Sequence, residues 1–428
     1  MPTAVKSSRA TSRAPAAASR PQRAARYFGQ FRCIGGDCEE HCCSGWQIPI
    51  DRAAYLRYQT ISEADLRERL RGHMALLPDG KRTEAMYATL SADETGACPL
   101  LDPDSRLCDL HSRKGAQWLS RTCDTYPRIT AQRAAHTTQF LTPSCPEAAR
   151  LILHSRDALD LLDAHGQPVP PTPLPADDAR PGGGDPVAPL AEAIQDTLRG
   201  LIRDPRLRAA EALAIFGVVA RKPRTMAAQT PSREQHGVMV RLLRTLRDPV
   251  GVDTAKAHVD ALPLSRDFHR AVLAEIHTGF LRKLTPRPRL QAVMTECDQA
   301  LRIAESEGFG ERFDTALRQW FEPFDDRHPH LLKNYLLNAI GHENFPAGPA
   351  ARLEHEYLSL SVRLAMIRMY LIGVAAFRGE AFGEADYVRV IQTFSRDFEH
   401  NRAFMNHVLG QMQAARLDTT SAAMLLLR

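Results

Sequence analysis

Leu190, Ile194, Leu198, Leu201 and Ile202 recur with polar residues between them at the intervals that line one face of a helix. The same periodicity predicts helices near Arg206–Val219, Gly237–Leu246, Ser265–Leu284, Leu290–Glu305, His330–Ala339 and Tyr387–Gln413. No strand-like alternation of comparable length interrupts them. Leu358–Phe377, "LSLSVRLAMIRMYLIGVAAF", is apolar over 20 residues but contains Arg363 and Arg368. Each arginine would cost about 2.5–3.5 kcal/mol at a bilayer centre. The stretch therefore reads as the buried helix of a bundle, not a membrane span, and its arginines need carboxylates or a bound anion as partners. Nearer the N-terminus, Arg52–Arg71 also reads as helix, and "RITAQRAAHTTQFLT", Arg128 to Thr142, as a short hairpin. No repeat of fixed period is present.

The pattern breaks at Gly166–Pro189, which holds eight prolines and four glycines in 24 residues. Proline lacks a backbone donor and glycine costs entropy, so neither helix nor inner strand is expected there. The predicted organisation is a disordered basic tail over residues 1–26, a cysteine-rich metal-binding domain over 27–165, a linker over 166–189 and a helical domain over 190–428. The fold class is mainly α: an N-terminal cysteine-rich domain of loops and one short hairpin, followed by a C-terminal helical bundle.

Charge sharpens this division. The chain of 428 residues carries a net charge of +5. Lys6, Arg9, Arg13, Arg20, Arg23 and Arg26 stand in a tail without acids, leaving 49 basic against 50 acidic residues in the remainder. A neutral body argues against nucleic acid as a partner. The tail lacks the apolar core of a secretory signal. Its Arg- and Ser-rich composition matches a transit peptide, though a disordered extension is the simpler reading. The cysteines are then expected in a reducing cytoplasm, where thiols stay free unless a metal or catalysis claims them.

Eight of the nine cysteines lie within 113 residues: Cys33, Cys38, Cys42, Cys43, Cys98, Cys108, Cys123 and Cys145. Each stands beside Pro, Gly or Asp, in loops able to bring thiolates together. Eight thiols can form two four-ligand sites, or one with spares, for zinc or an iron–sulfur cluster. Spacing does not separate these metals. The adjacent Cys42 and Cys43 point opposite ways in extended backbone and suit different sites. Gly45 occupies the position where a radical-SAM motif beginning at Cys38 would need its third cysteine. His41 and His111 neighbour the set without being needed as ligands, and Cys297 reads as a buried thiol in a helix. No phosphate-binding loop, zinc-protease motif or nucleophile elbow occurs.

"FRCIGGDCEEHCCSGWQIPID", "CPLLDPDSRLCDLHSRKG", "LSRTCDTYPRI" and "LTPSCPEAARL" together resemble the flagellin lysine-N-methylase family. The cysteine arrangement is also similar to an iron- or zinc-chelating domain with a C-x2-C-x2-C-C pattern, but the leading gaps here are four and three. Past the linker, "LLKNYLLNAIGHENFP", "LSLSVRLAMIRMYLIGVAA" and "FSRDFEHN" look like the family's C-terminal helical part. The likeness covers Tyr27 to the C-terminus apart from the proline-rich insert. "NAIGHENFP" departs from it in being less aromatic and basic, which puts the target surface in doubt.

The resemblance implies methyl transfer from S-adenosylmethionine to lysine side chains of flagellin, with an iron–sulfur cluster (a 4Fe–4S cluster, zinc being the alternative) and the eight cysteines as candidate ligands. Such chemistry needs a free amine, an apolar slot for the lysine stem, and a carboxylate or tyrosine near its tip. Trp46, Asp51, Tyr126 and Arg128 stand beside the cysteine loops and are the candidates. Each has a plainer role open to it: Trp46 as a roof, Asp51 as a helix cap, Tyr126 in loop packing, Arg128 in an ion pair. The competing expectation is a non-catalytic zinc- or iron-binding module fused to a helical interaction domain.

Overall fold

A computed structural model of the chain describes residues 20–133, 135–176, 185, 187–226, 231–283 and 285–428. Helix dominates. The predicted stretches form as Ala191–Arg203, Ala209–Thr225, Ser232–Thr245, Arg266–Lys283, Pro288–Leu301, His330–His342 and Leu353–Arg378. Two expectations are corrected. The single helix over Arg52–Arg71 is two, Arg52–Tyr58 and Ala64–His73, with the buried Ile61 tucked in at the break. Tyr387–Gln413 is also broken: Glu384–Phe394 runs into a π-helical turn, Ser395–Glu399, and Arg402–Ala414 starts anew where the Asn401 side chain accepts from the Phe404 N–H.

Among the described residues, seven short strands make two sheets. They are β1 (Gln22–Ala25), β2 (Ile48–Ile50), β3 (Met74–Leu76), β4 (Ala88–Leu90), β5 (Arg128–Gln132), β6 (Thr137–Leu141) and β7 (Leu161–Asp163). The larger sheet has the order β5-β6-β1-β7 and contains the expected hairpin, with Arg128 opposite Leu141. β1 runs parallel to β6 and antiparallel to β7. Residues 20–26, assigned above to the tail, therefore belong to the fold from Gln22 onward, because β1 fills the slot between two strands and buries Ala25. Residues 1–19 lie outside the described residues, as do 177–184 and 186 of the proline-rich stretch. The smaller sheet is antiparallel, β2-β4-β3.

Apolar burial among the described residues forms two cores. The smaller packs Ile48, Ile50, Tyr58, Leu66, Leu90 and Leu110 around the three-stranded sheet. The larger extends from Ala25 to Leu427 and draws Tyr27, Phe140, Leu141 and Ile152 together with the helices beyond residue 190. At its centre lies Leu353–Arg378, flanked by Ala209–Thr225, Pro288–Leu301 and Thr420–Leu427. It is long and apolar enough to cross a membrane, yet 83% of its most apolar window is buried inside the protein, as a core helix would be. Arg363 is paired with Glu343 and Glu399, as its burial demands. Arg368 instead donates to the Leu427 carbonyl, a main-chain partner in place of the expected acid. Cys297 is fully buried and lies against Gly373 of this helix, where a Cβ would collide with the thiol and with the Cys297 backbone.

Candidate functional site

The run from Cys33 to Trp46 folds back through tight turns that its glycines permit. Gly36 passes so close to the 102–106 turn that a Cβ would lie 2.6 Å from the Ser105 carbonyl oxygen. Gly45 has φ +75° and leaves room for the Arg287 guanidinium, which donates to its carbonyl at 2.8 Å. The Cys98 N–H donates to the Cys43 carbonyl at 2.7 Å, and Ser44 bridges Ala97. Cys108 and Cys145 each stand at the N-cap of a helix, Asp109–Lys114 and Pro146–His154. Cys123 sits in the short helix Arg121–Thr125, opened by Ser120.

All eight N-terminal cysteines line one cavity of about 650 Å³. His41, His111, Trp46, Tyr126 and Arg128 line it too, while Asp51 does not. The Trp46 indole donates to the Cys42 carbonyl at 2.7 Å. The Tyr126 hydroxyl lies 3.1 Å from Ser144 Oγ, and Arg128 stacks over the Phe31 ring. Asp51 is the helix cap: its carboxylate accepts from the main-chain N–H of Ala54 and of Arg121.

Burial pushes the Cys98 and Cys145 thiols up to about 12, and those of Cys38 and Cys108 upward as well. Cys42 moves the other way, to about 7, because Cys43 shares a hydrogen bond with it and Arg396 lies nearby; that bond and burial push Cys43 up. Most of these thiols thus hold their protons at neutral pH unless a cation claims them. Among the described residues, no three His, Cys, Asp or Glu side chains gather as the ligands of a single ion would.

The helical body grips this loop from below. Arg396, on the π-helical turn, is buried and donates to the carbonyls of Glu40, His41 and Ser44. Gln392, one helical turn earlier, donates to Glu40 and to the Ser144 carbonyl. His400 lies 2.8 Å from Ser144 Oγ, and Arg287 pairs with Asp397. None of these gripping residues is a sequence-predicted site residue. "FSRDFEHN" held Arg396 and His400 in plain view, but a buried arginine facing carbonyls has no signature in one sequence.

A sequence model described as the FliB lysine N-methylase C-terminal domain matches residues 195–426, more than half of the chain. The chain belongs to the FliB lysine N-methylase family. The part matched as the FliB domain supplies Arg287, Gln392, Arg396 and His400, and the eight cysteines precede it. Among relatives, the lysine-N-methylase of Salmonella typhimurium is 32% identical over 138 residues, 32% of this chain and 33% of that protein. The lysine-N-methylase of Salmonella choleraesuis is 33% identical over 138 residues, with the same shares. The flagellar biosynthetic protein FliU of Salmonella muenchen is 33% identical over 136 residues, 32% of this chain and 78% of that protein. The chain thus spans about a third of the length of the two lysine-N-methylases it matches. No solved structure matches.

Proposed function

We propose that this protein is a cytoplasmic protein-lysine N-methyltransferase that moves a methyl group from S-adenosylmethionine to lysine side chains of flagellin, with an iron–sulfur cluster held by its cysteines. The observation that carries this reading is the meeting of all eight thiols in one cavity, on a loop whose carbonyls are held by Arg396 of the domain that defines the family. The donor set fits a cluster. Thiolates are its usual ligands, and each binds a different iron, so no three need surround one point. Arg32, Arg106, Arg128 and the buried Arg396 lie around the thiols and offset the negative charge of such a group.

Cys43, Cys98 and Cys108 pack with the smaller core, whereas Cys145 packs with the larger one, so the ligand set straddles the seam between them. A bound cluster would supply a fixed charge, and an open iron position for the methyl donor, at that seam. The protein's own groups do the rest. At pH 7 a free lysine amine costs roughly 4.6 kcal/mol to produce from its ammonium form. Apolar walls from Phe31, Trp46, Ile48 and Leu107, with arginines beside them, favour the neutral amine. Its lone pair attacks the methyl carbon, the carbon–sulfur bond breaks, and the amine's extra proton leaves to solvent. Trp46 and Leu107 are large apolar side chains exposed at this cavity, suited to the lysine stem.

The test is to purify the protein anaerobically, measure iron and sulfide, and map methyl groups on co-expressed flagellin by mass spectrometry. Stoichiometric iron and sulfide with methylated flagellin lysines are expected, both lost in Cys98→Ser. Iron-loaded protein that leaves flagellin unmodified would sink the enzymatic reading. Undiminished methylation by iron-free protein would sink the cluster's part in it.

A further inference from the structure

A second cavity, of about 330 Å³, opens at the far end of the β5–β6 hairpin, between that hairpin, β1 and the helix Ala191–Arg203. It shares no lining residue with the thiol cavity. The second cavity is lined by charged groups of both signs. Arg203 pairs with Asp160 and Glu192 with His136, while Arg199, Arg23 and Asp196 make no ion pair with a lining group of opposite charge among the described residues. Arg199 is only 5% exposed. One of its terminal nitrogens donates to the Leu159 carbonyl at 2.8 Å, and the other, Nη1, is buried without a partner. No carboxylate lies within ion-pair distance of it among the described residues. Burial, with Arg203 beside it, lowers the guanidinium to about 10, which still leaves it charged at neutral pH.

Arg23 also lines the space, and among the described residues its guanidinium meets His136, at 3.2 Å. Two acids share the lining, Glu192 and Asp196, both on the helix that carries Arg199, and Asp196 lies near enough to Arg199 to favour its charged form. Glu192 faces His136 at 3.3 Å, and Asp196 accepts from the Thr172 main-chain N–H without pairing to a base. A buried guanidinium with an unmade hydrogen bond is costly unless something fills the place beside it. The missing partner of Arg199 Nη1 is an anion, and Asp196, which pairs with no base, offers a place for a cation one helical turn away. The volume suits a small molecule.

We propose that this cavity binds a small zwitterion of the α-amino-acid type, its carboxylate received by Arg199 and Arg23 and its ammonium by Glu192 and Asp196. This site is distinct from the thiol cavity and does not depend on the methyl transfer proposed above.

The experiment titrates the full-length protein with L-methionine and L-norleucine, which both carry the zwitterion, and with n-pentylamine, which lacks the carboxylate, by calorimetry. Both zwitterions should bind, and pentylamine should not. Arg199→Gln should weaken binding at least tenfold. A second variant guards against misfolding of that one: Gly200→Leu lines the same cavity, a Cβ there meets nothing within 4 Å, and it leaves every charged group in place. It should weaken binding comparably. The proposal is overturned if neither zwitterion binds the wild type, or if both variants bind as the wild type does. Pentylamine binding as tightly as L-norleucine would overturn it too. Flagellin methylation measured on the same variants separates the two readings, since either can fail while the other holds.

Discussion

Asp51 places both carboxylate oxygens on main-chain nitrogens, one opening the helix Arg52–Tyr58 and the other fixing Arg121 just before Cys123. That is a structural task, and its removal has a predictable size. Asp51→Ala should cost about 1–2 kcal/mol in urea unfolding, the usual loss for a helix cap. Burial resists ionisation of this carboxyl, but the N–H groups of Arg121 and Ala54 outweigh it and hold the group below the ordinary range. A depressed acid stabilises fully above its unfolded value, near 3.9, and the benefit disappears as pH falls through the lower folded value. The stability gap between wild type and Asp51→Asn should therefore be constant from pH 5 to 7 and close only below about pH 4. A gap that closed nearer neutrality would contradict this account. Gly373 is the other residue whose chemistry is simple. Gly373→Ala would drive a methyl into Cys297 and its backbone, at a cost of about 1–3 kcal/mol, visible as a lowered Tm.

Among the elements, the π-helical turn Ser395–Glu399 joins the two parts of the site. A regular helix from Tyr387 to Gln413 would satisfy the apolar pattern, and the sequence reads that way. The extra residue in the turn re-aims Arg396 at three carbonyls of the cysteine loop, a use to which such turns are often put. Arg396→Gln should cost about 3 kcal/mol, because buried carbonyls lose a charged donor together. Iron content should fall further than stability, since the loop carrying Cys38, Cys42 and Cys43 would be released. Urea unfolding paired with iron analysis checks this, and a fully iron-loaded variant would refute the clamp. The strands were harder to read than the helices. β2, β3, β4 and β7 are three residues each, too short for alternation to register, and β1 hides in a basic tail. Only the β5–β6 hairpin was long enough to show.

On the scale of the whole molecule, the eight cysteines announced the site because loops carrying thiols beside Pro, Gly and Asp have few other uses. Trp46, Tyr126 and Arg128 were legible as neighbours for the same reason. Glu40, Gln392 and Arg287 were not, because what matters about them is contact across the chain: Gln392 meets Glu40 over 352 positions of sequence. The larger core, too, joins residues on both sides of 166–189, which composition presents as a boundary.

That reach has a temporal consequence. A ribosome delivers the last of the eight cysteines about 250 residues before Arg396, and chains begin folding from the end that emerges first. The thiols therefore emerge with no grip on their loop until Arg396 has followed. A cluster held as proposed above would be secured only after residue 396 has been made.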